Sequence, residues 1–152
     1  MPQVTADLQG ASRDATAARP PGSRPLSPHV QVWRWHPTMV ASILTRISAV
    51  ALYFAAFVAA GWAWALASGP EAYGRYMEVL GSPLGVVVLL GFTGAFFYHF
   101  AAGIRHLVFD VGRGLNPRLA DMTAIASIVF AVAATAVVFG VAYLTGALDG
   151  LI

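Results

Sequence analysis

The sequence predicts an all-α integral membrane protein with three transmembrane helices, and three observations carry that prediction. The first is composition: 58 % of residues are hydrophobic and only 11 % charged, with a mean hydropathy of +0.69, whereas soluble domains carry about a quarter charged residues. The second is a set of three apolar stretches, at about 38–67, 84–109 and 122–145. Each exceeds the roughly 20 residues that a helix needs to cross a hydrocarbon core of about 30 Å. The third is the punctuation between them: Ser68-Gly69-Pro70, Gly81-Ser82-Pro83 and the run from Gly112 to Pro117 are breaker clusters of the kind that end and restart helices. Isolated strands would leave backbone groups unpaired in lipid, so helices are the expected spanning form.

At 152 residues the chain has room for one domain. Residues 1–28 are rich in Ala, Arg, Pro, Ser, Gly and Thr and hold almost no large apolar residue, which predicts a disordered cytoplasmic tail. The tail has no apolar core of a secretory signal, and Asp7 and Asp14 count against a transit peptide. Residues 29–152 form the expected transmembrane domain. The first stretch holds one charge, Arg46; the second holds His99, with Arg105 and His106 towards its end; the third holds none.

Cysteine is absent, which excludes disulfides, thiolate-bound zinc and cysteine-ligated iron–sulfur clusters within this chain. Every basic residue is arginine, in keeping with a bacterial source and GC-rich codons. The arginines also give an orientation. Arg13, Arg19, Arg24 and Arg34 precede the first stretch, and Arg113 and Arg118 lie between the second and third. Arg75 stands alone, between Glu71 and Glu78, in the first connection. The positive-inside rule then predicts a cytoplasmic N-terminus and a C-terminus on the far side, as three spans require. Trp33, Trp35, Trp62 and Trp64 fall near the two ends of the first span, where aromatic belts lie.

Three residues are out of place on a lipid-facing helix. Arg46 costs about 2.5–3.5 kcal/mol on insertion scales and lies roughly 12 Å from the start of its helix. With Thr38, Ser42 and Thr45 it forms a polar stripe. It either snorkels to the cytoplasmic surface or meets an anionic or carbonyl-bearing ligand. His99 lies within Phe96-Phe97-Tyr98-His99-Phe100 with no acidic neighbour. It is either a hydrogen-bonded packing residue or a ligand. Gly91, Ala95, Ala102 and Gly103, at i−8, i−4, i+3 and i+4, clear its face of bulk. That space suits close helix packing or the approach of a flat macrocycle whose iron takes an axial imidazole. His106, with Arg105 beside it, lies two turns later on nearly the same face, roughly 10 Å nearer the cytoplasm. These two are either an interfacial cationic cluster or partners for haem propionates. Arg46 and His99 belong at comparable depth, so a shared site is geometrically possible. With one well-buried His, any second axial ligand must come from another subunit.

Three segments resemble the cytochrome b membrane-anchor subunit of succinate dehydrogenase (respiratory complex II). The run from Arg24 to Trp35, Arg-Pro-Leu-Ser-Pro-His-Val-Gln-Val-Trp-Arg-Trp, looks like that family's segment before helix one. Ser42-Ile43-Leu44-Thr45-Arg46-Ile47-Ser48 is similar to its helix-one motif, Ser-Ile-Leu-His-Arg-hydrophobic-Ser/Thr-Gly. The run from His99 to Asp110 closely matches its helix-two motif, His-x-x-x-Gly-Ile-Arg-His-Leu-x-x-Asp. The likeness extends from about Arg24 to the C-terminus.

The resemblance implies that the three helices are half of a heterodimeric helical anchor bundle. His99 matches the family's axial ligand to haem b, with the opposite ligand from the second anchor subunit. Ser42 and Arg46 match residues of the ubiquinone pocket, and Arg46 and His106 match positions near the haem propionates. The implied partners are that second anchor subunit, an iron–sulfur subunit and a flavoprotein subunit, surrounded by membrane lipid in the bacterial inner membrane, with no nucleic acid. The chain is then no enzyme alone but an electron-transfer and anchor subunit of a quinone-reducing complex. Thr45 stands where the family commonly has His, and Ala49 where it commonly has Gly. The alternatives are a quinol:fumarate reductase anchor, a haem-free structural anchor, and a small transporter or channel subunit. The lack of paired intramembrane acids, repeats and broken helices argues against the last.

Overall fold

The computed structural model describes residues 34–146. The expected tail over 1–28, Trp33 and most of the segment before helix one lie outside the described residues. Four helices follow one another: α1 (Pro37–Ala67), α2 (Pro70–Gly81), α3 (Pro83–Asp110) and α4 (Pro117–Leu144). Each begins with proline at its first position, where the missing N–H removes a donor that would otherwise be unsatisfied. The three long helices are apolar and long enough to span a membrane. The spans expected from the sequence correspond to α1, α3 and α4.

Two boundaries differ from expectation. The first connection contains α2, a 12-residue helix that no apolar run marks. Its signals are local ones: Pro70 at the start, Glu71 in the first turn, and an Arg75–Glu71 ion pair at 3.2 Å one turn apart. The last helix begins at Pro117 rather than near Met122, because Asn116 caps it through Oδ1, which accepts from the Arg118 N–H at 3.0 Å. Arg118 and Asp121 therefore lie inside the helix although outside the apolar run.

The corners are set by single residues. Ser82 both ends α2 and begins α3. Its hydroxyl donates to the Val79 carbonyl at 2.7 Å and accepts from the Gly85 N–H at 3.1 Å. A Cβ at Gly85 would run into the carbonyl oxygens of Leu80 and Val79, so the tight turn admits only glycine there. The end of α3 is a Schellman closure. Gly112, at φ +74°, donates to the Phe109 carbonyl at 2.8 Å, and Arg113 to that of Val108 at 3.1 Å.

The long helices pack on one another through small residues. Ala41, Ala65, Ala102, Ala124 and Ala131 are buried, and Tyr98 is the one large side chain buried among the described residues. Its cluster with Ala102 and Ala131 is flanked by Leu44, Phe97 and Ile128. Packing through alanine is expected in a bilayer, where helices gain little by hiding leucine from leucine-like lipid. The remaining surface is apolar and outward-facing: only 6 % of the most apolar stretch of α1 and of α3, and 17 % of that of α4, is buried in the chain. The backbone N–H of Thr38 meets Asp121 Oδ1 at 3.3 Å, so the starts of α1 and α4 lie at one end of the bundle. α2 lies against α1 and α3, pinned by Tyr76, whose phenol donates to the Val58 carbonyl at 2.6 Å.

Candidate functional site

The polar residues of α1 divide between two faces. Thr45 and Ser48 turn inward; Ser42 and Arg46 are exposed. The stripe expected from Thr38, Ser42, Thr45 and Arg46 is thus split. The helical rotation of about 100° per residue explains it: Ser42 and Arg46 are one turn apart and aligned, whereas Arg46 and Ser48 point about 160° apart. Thr45 Oγ1 donates to the Ala41 carbonyl at 2.8 Å, and the Tyr98 phenol donates to the same oxygen at 2.7 Å. The two hydroxyls are 3.4 Å from each other, with both protons already committed to Ala41.

His99 is half-buried, one position from the core residue Tyr98. Its Nδ1 lies 3.0 Å from Ser48 Oγ, which also donates to the Thr45 carbonyl at 2.9 Å. The helix-one and helix-two motifs therefore touch through Ser48 and His99. That contact occupies Nδ1 and leaves Nε2 as the ring nitrogen without a partner among the described residues. Of the four small residues around His99, Ala102 is consumed by helix packing, at 1 % exposure. Gly91 and Gly103 are exposed, and a Cβ on either would meet nothing within 4 Å. The space they clear is open to whatever covers this face of α3.

His106 is exposed, and its Nδ1 lies 2.6 Å from the Ala102 carbonyl. A carbonyl only accepts, so Nδ1 carries a proton and the neutral ring presents an acceptor at Nε2. Arg105, its neighbour, is engaged within the chain. Its Nε donates to Thr123 Oγ1 at 3.2 Å, its guanidinium reaches the Ala120 carbonyl at 3.4 Å, and its Cζ lies 4.7 Å from the Phe109 ring centre. It ties α3 to α4. Neither Ser42 Oγ nor the Arg46 guanidinium has a hydrogen-bond or ion-pair partner among the described residues. No buried side-chain polar atom among them is left unsatisfied.

The structure thus brings His99 to α1 through Ser48, aligns Ser42 with Arg46 on the outer face of α1, and sets His106 two turns from His99. Sequence reasoning missed the parts of Ser48 and Tyr98. Ser48 was visible as the last residue of the helix-one motif, and Tyr98 as a phenol in an apolar run, which needs an acceptor when buried.

Three apolar spans packed through alanine, with unpartnered polar groups turned outward, define a multi-pass membrane subunit. Residues 21–138 match the family described as succinate dehydrogenase/fumarate reductase transmembrane subunit. The chain is 41 % identical over 95 residues to the succinate dehydrogenase cytochrome b556 subunit of Paracoccus denitrificans, covering 62 % of this chain and 73 % of that one. It is 33 % identical over 100 residues to the subunit of the same name from Rickettsia felis, covering 66 % and 77 %. It is also 33 % identical over 96 residues to the mitochondrial succinate dehydrogenase cytochrome b560 subunit of Sus scrofa, covering 62 % and 57 %. The chain belongs to this family, as a succinate dehydrogenase cytochrome b anchor subunit.

Proposed function

We propose that this chain anchors a succinate:quinone oxidoreductase in the bacterial inner membrane, holds haem b through His99 jointly with a second anchor subunit, and contributes Ser42 and Arg46 to a ubiquinone-reduction site. The observation that carries the reading is the division of α1. Ser48 faces in and touches His99 at 3.0 Å, while Ser42 and Arg46 face out with no partner among the described residues. An arginine in a membrane helix costs about 2.5–3.5 kcal/mol, and a partner outside the chain would offset that. The cytochrome b names of the relatives support haem, and their succinate dehydrogenase names favour succinate oxidation over fumarate reduction.

The residues present fit the haem. Nε2 of His99 has no partner among the described residues, and Gly91 and Gly103 leave open space along the same helix. Haem b, when bound, supplies a one-electron store within the bilayer. His99 would hold the iron, jointly with a residue of the second anchor subunit. Arg46 and His106 would lie towards the propionates. Because His106 donates its Nδ1–H to the Ala102 carbonyl, its neutral ring offers only an acceptor at Nε2, whereas the Arg46 guanidinium offers only donors.

At the quinone, reduction builds negative charge on a carbonyl oxygen. Arg46 keeps its proton throughout and so stabilises that charge without acting as the acid. Ser42, one turn earlier, donates a hydrogen bond to a quinone oxygen. No carboxylate lies in the body of α1, so the protons come from water or from a partner subunit. The iron–sulfur and flavoprotein subunits deliver the electrons. Arg113 and Arg118 lie at the end marked by the Thr38–Asp121 contact, where α1 begins, which supports a cytoplasmic N-terminus by the positive-inside rule.

The test is a dithionite-reduced minus oxidised optical spectrum of the complex co-purified from membranes, for wild type and His99→Ala. A b-type signal in the wild type that His99→Ala abolishes is the expected result. A wild-type complex that assembles without a haem signal would leave an anchor and quinone scaffold only.

A further inference from the structure

We propose that Ser48 is a positioning residue that fixes the tautomer and the ring orientation of His99, so that Nε2 alone is presented for ligation. The inference rests on the haem reading above and deepens it. Ser48 is 3 % exposed and sits between α1 and α3 with two polar neighbours: the Thr45 carbonyl at 2.9 Å and His99 Nδ1 at 3.0 Å. Its hydroxyl has one proton. A carbonyl oxygen accepts only, and two oxygens 2.9 Å apart with no proton between them repel. The proton therefore goes to Thr45, and Ser48 accepts from His99. That makes Nδ1 the protonated nitrogen. A neutral imidazole carries one N–H, so Nε2 holds the lone pair.

Two further features lock the arrangement. Thr45 precedes Ser48 by three residues on the same helix, so the acceptor that orients the hydroxyl is rigid backbone. Thr45 itself is tied to Ala41, as is Tyr98, the neighbour of His99. Swapping the tautomer would leave two acceptors, His99 Nδ1 and the Thr45 carbonyl, competing for the one Ser48 proton, and turning the ring would break the bond to Ser48. A ligating histidine whose second nitrogen donates in this way is more basic towards its metal, and loss of the outer partner typically weakens metal affinity by about 10–100-fold.

The test uses the complete complex purified from membranes, with Ser48→Ala, Ser48→Cys and Ser48→Thr. Two quantities are read: haem retained per complex on dilution, and the haem midpoint potential by redox titration. Without its acceptor, His99 donates less electron density to the iron, which disfavours the ferric state. Ser48→Ala should lose haem about 10–100-fold more readily and raise the midpoint. Ser48→Cys, similar in size but a weaker acceptor, should fall between, and Ser48→Thr, which keeps the hydroxyl, should restore the wild-type values. Should Ser48→Ala fail to assemble, the cysteine variant decides by the same two readings. Wild-type potential and retention in the alanine or cysteine variant would overturn the proposal, and so would equal shifts in all three, which mark packing rather than the hydroxyl. The underlying reading fails separately: haem that is absent from the wild type, or that survives His99→Ala, removes His99 as the ligand whatever Ser48 does.

Discussion

The Tyr98 phenol donates to the Ala41 carbonyl oxygen at 2.7 Å, joining residues 57 apart in sequence. This bond sets the register of α3 against α1, and it does so one residue from His99 and two turns from Ser48. Thr45 Oγ1 donates to the same carbonyl at 2.8 Å. The resemblance leads one to expect histidine at position 45; the chain has threonine, whose hydroxyl is absorbed into helix packing instead of reaching outward.

Tyr98→Phe should therefore be mild. The Ala41 carbonyl keeps Thr45, the ring keeps its packing, and interhelical hydrogen bonds in membranes average about 0.6 kcal/mol. Tyr98→Ala removes the one large buried side chain among the described residues and should cost about 3–5 kcal/mol, as other aromatic-to-alanine truncations do. Unfolding of the purified complex in graded denaturing detergent would rank the two. Equal destabilisation by both would mean that the hydroxyl, not the ring, holds the helices together.

The α2–α3 corner should be intolerant at one residue and forgiving at its neighbour. Gly85→Ala forces a methyl into the backbone carbonyls of Leu80 and Val79, which do not move without opening the turn. Ser82→Ala loses a cap worth about 1 kcal/mol. Membrane levels of the assembled chain should collapse for Gly85→Ala and fall only slightly for Ser82→Ala. Normal levels for both would show that the corner relaxes freely.

Tyr76 and Gly61 make a similar pair at the other side of α2. A Cβ at Gly61 would lie 3.0 Å from the Tyr76 hydroxyl and 3.2 Å from its ring, closer than ordinary contact. Gly61→Ala should shift the ring by a few tenths of an ångström with little effect, because the ring can slide. Gly61→Leu should eject it, break the bond to Val58 and free α2. Limited proteolysis of residues 68–82 in membranes reads this directly: rapid cleavage in the leucine variant alone is expected, and equal protection in all three would detach α2 anchoring from Tyr76.

The long helices were legible because each is a single unbroken apolar run closed by Gly, Ser and Pro, and hydropathy reads such runs well. α2 was not, since it is held by a proline start, one i,i+4 ion pair and Tyr76 rather than by apolarity. The residue types of the candidate site stand out in the sequence too, since Arg and His are conspicuous on an apolar helix. Their facing was only half legible. Helical periodicity pairs Ser42 with Arg46, but which side of α1 meets α3 depends on where Ala41 and Ser48 find partners. That is a property of two helices together, and Ser48–His99 and Tyr98–Ala41 are pairings of residues more than fifty apart.

Arg46 offers the sharpest separation of stability from function. It is exposed on α1 with no partner among the described residues, so the isolated chain gains nothing from it and bears its insertion cost. Arg46→Leu should therefore favour helix insertion by about 2.5–3.5 kcal/mol while sharply lowering quinone reduction by the assembled complex. Arg46→Lys should recover part of the activity, since a lysine supplies charge but not the planar fork that meets an oxygen from two nitrogens. Succinate oxidation by a soluble dye that accepts electrons ahead of the membrane should stay at the wild-type rate in both variants. The discriminating readout is the ratio of quinone to dye activity. A ratio that falls in Arg46→Leu, with the complex fully assembled, assigns the arginine to the quinone end of the chain. A ratio that holds while assembly falls would make Arg46 a docking residue for a partner subunit, since the only thing its removal would then have cost is the contact that offsets its burial.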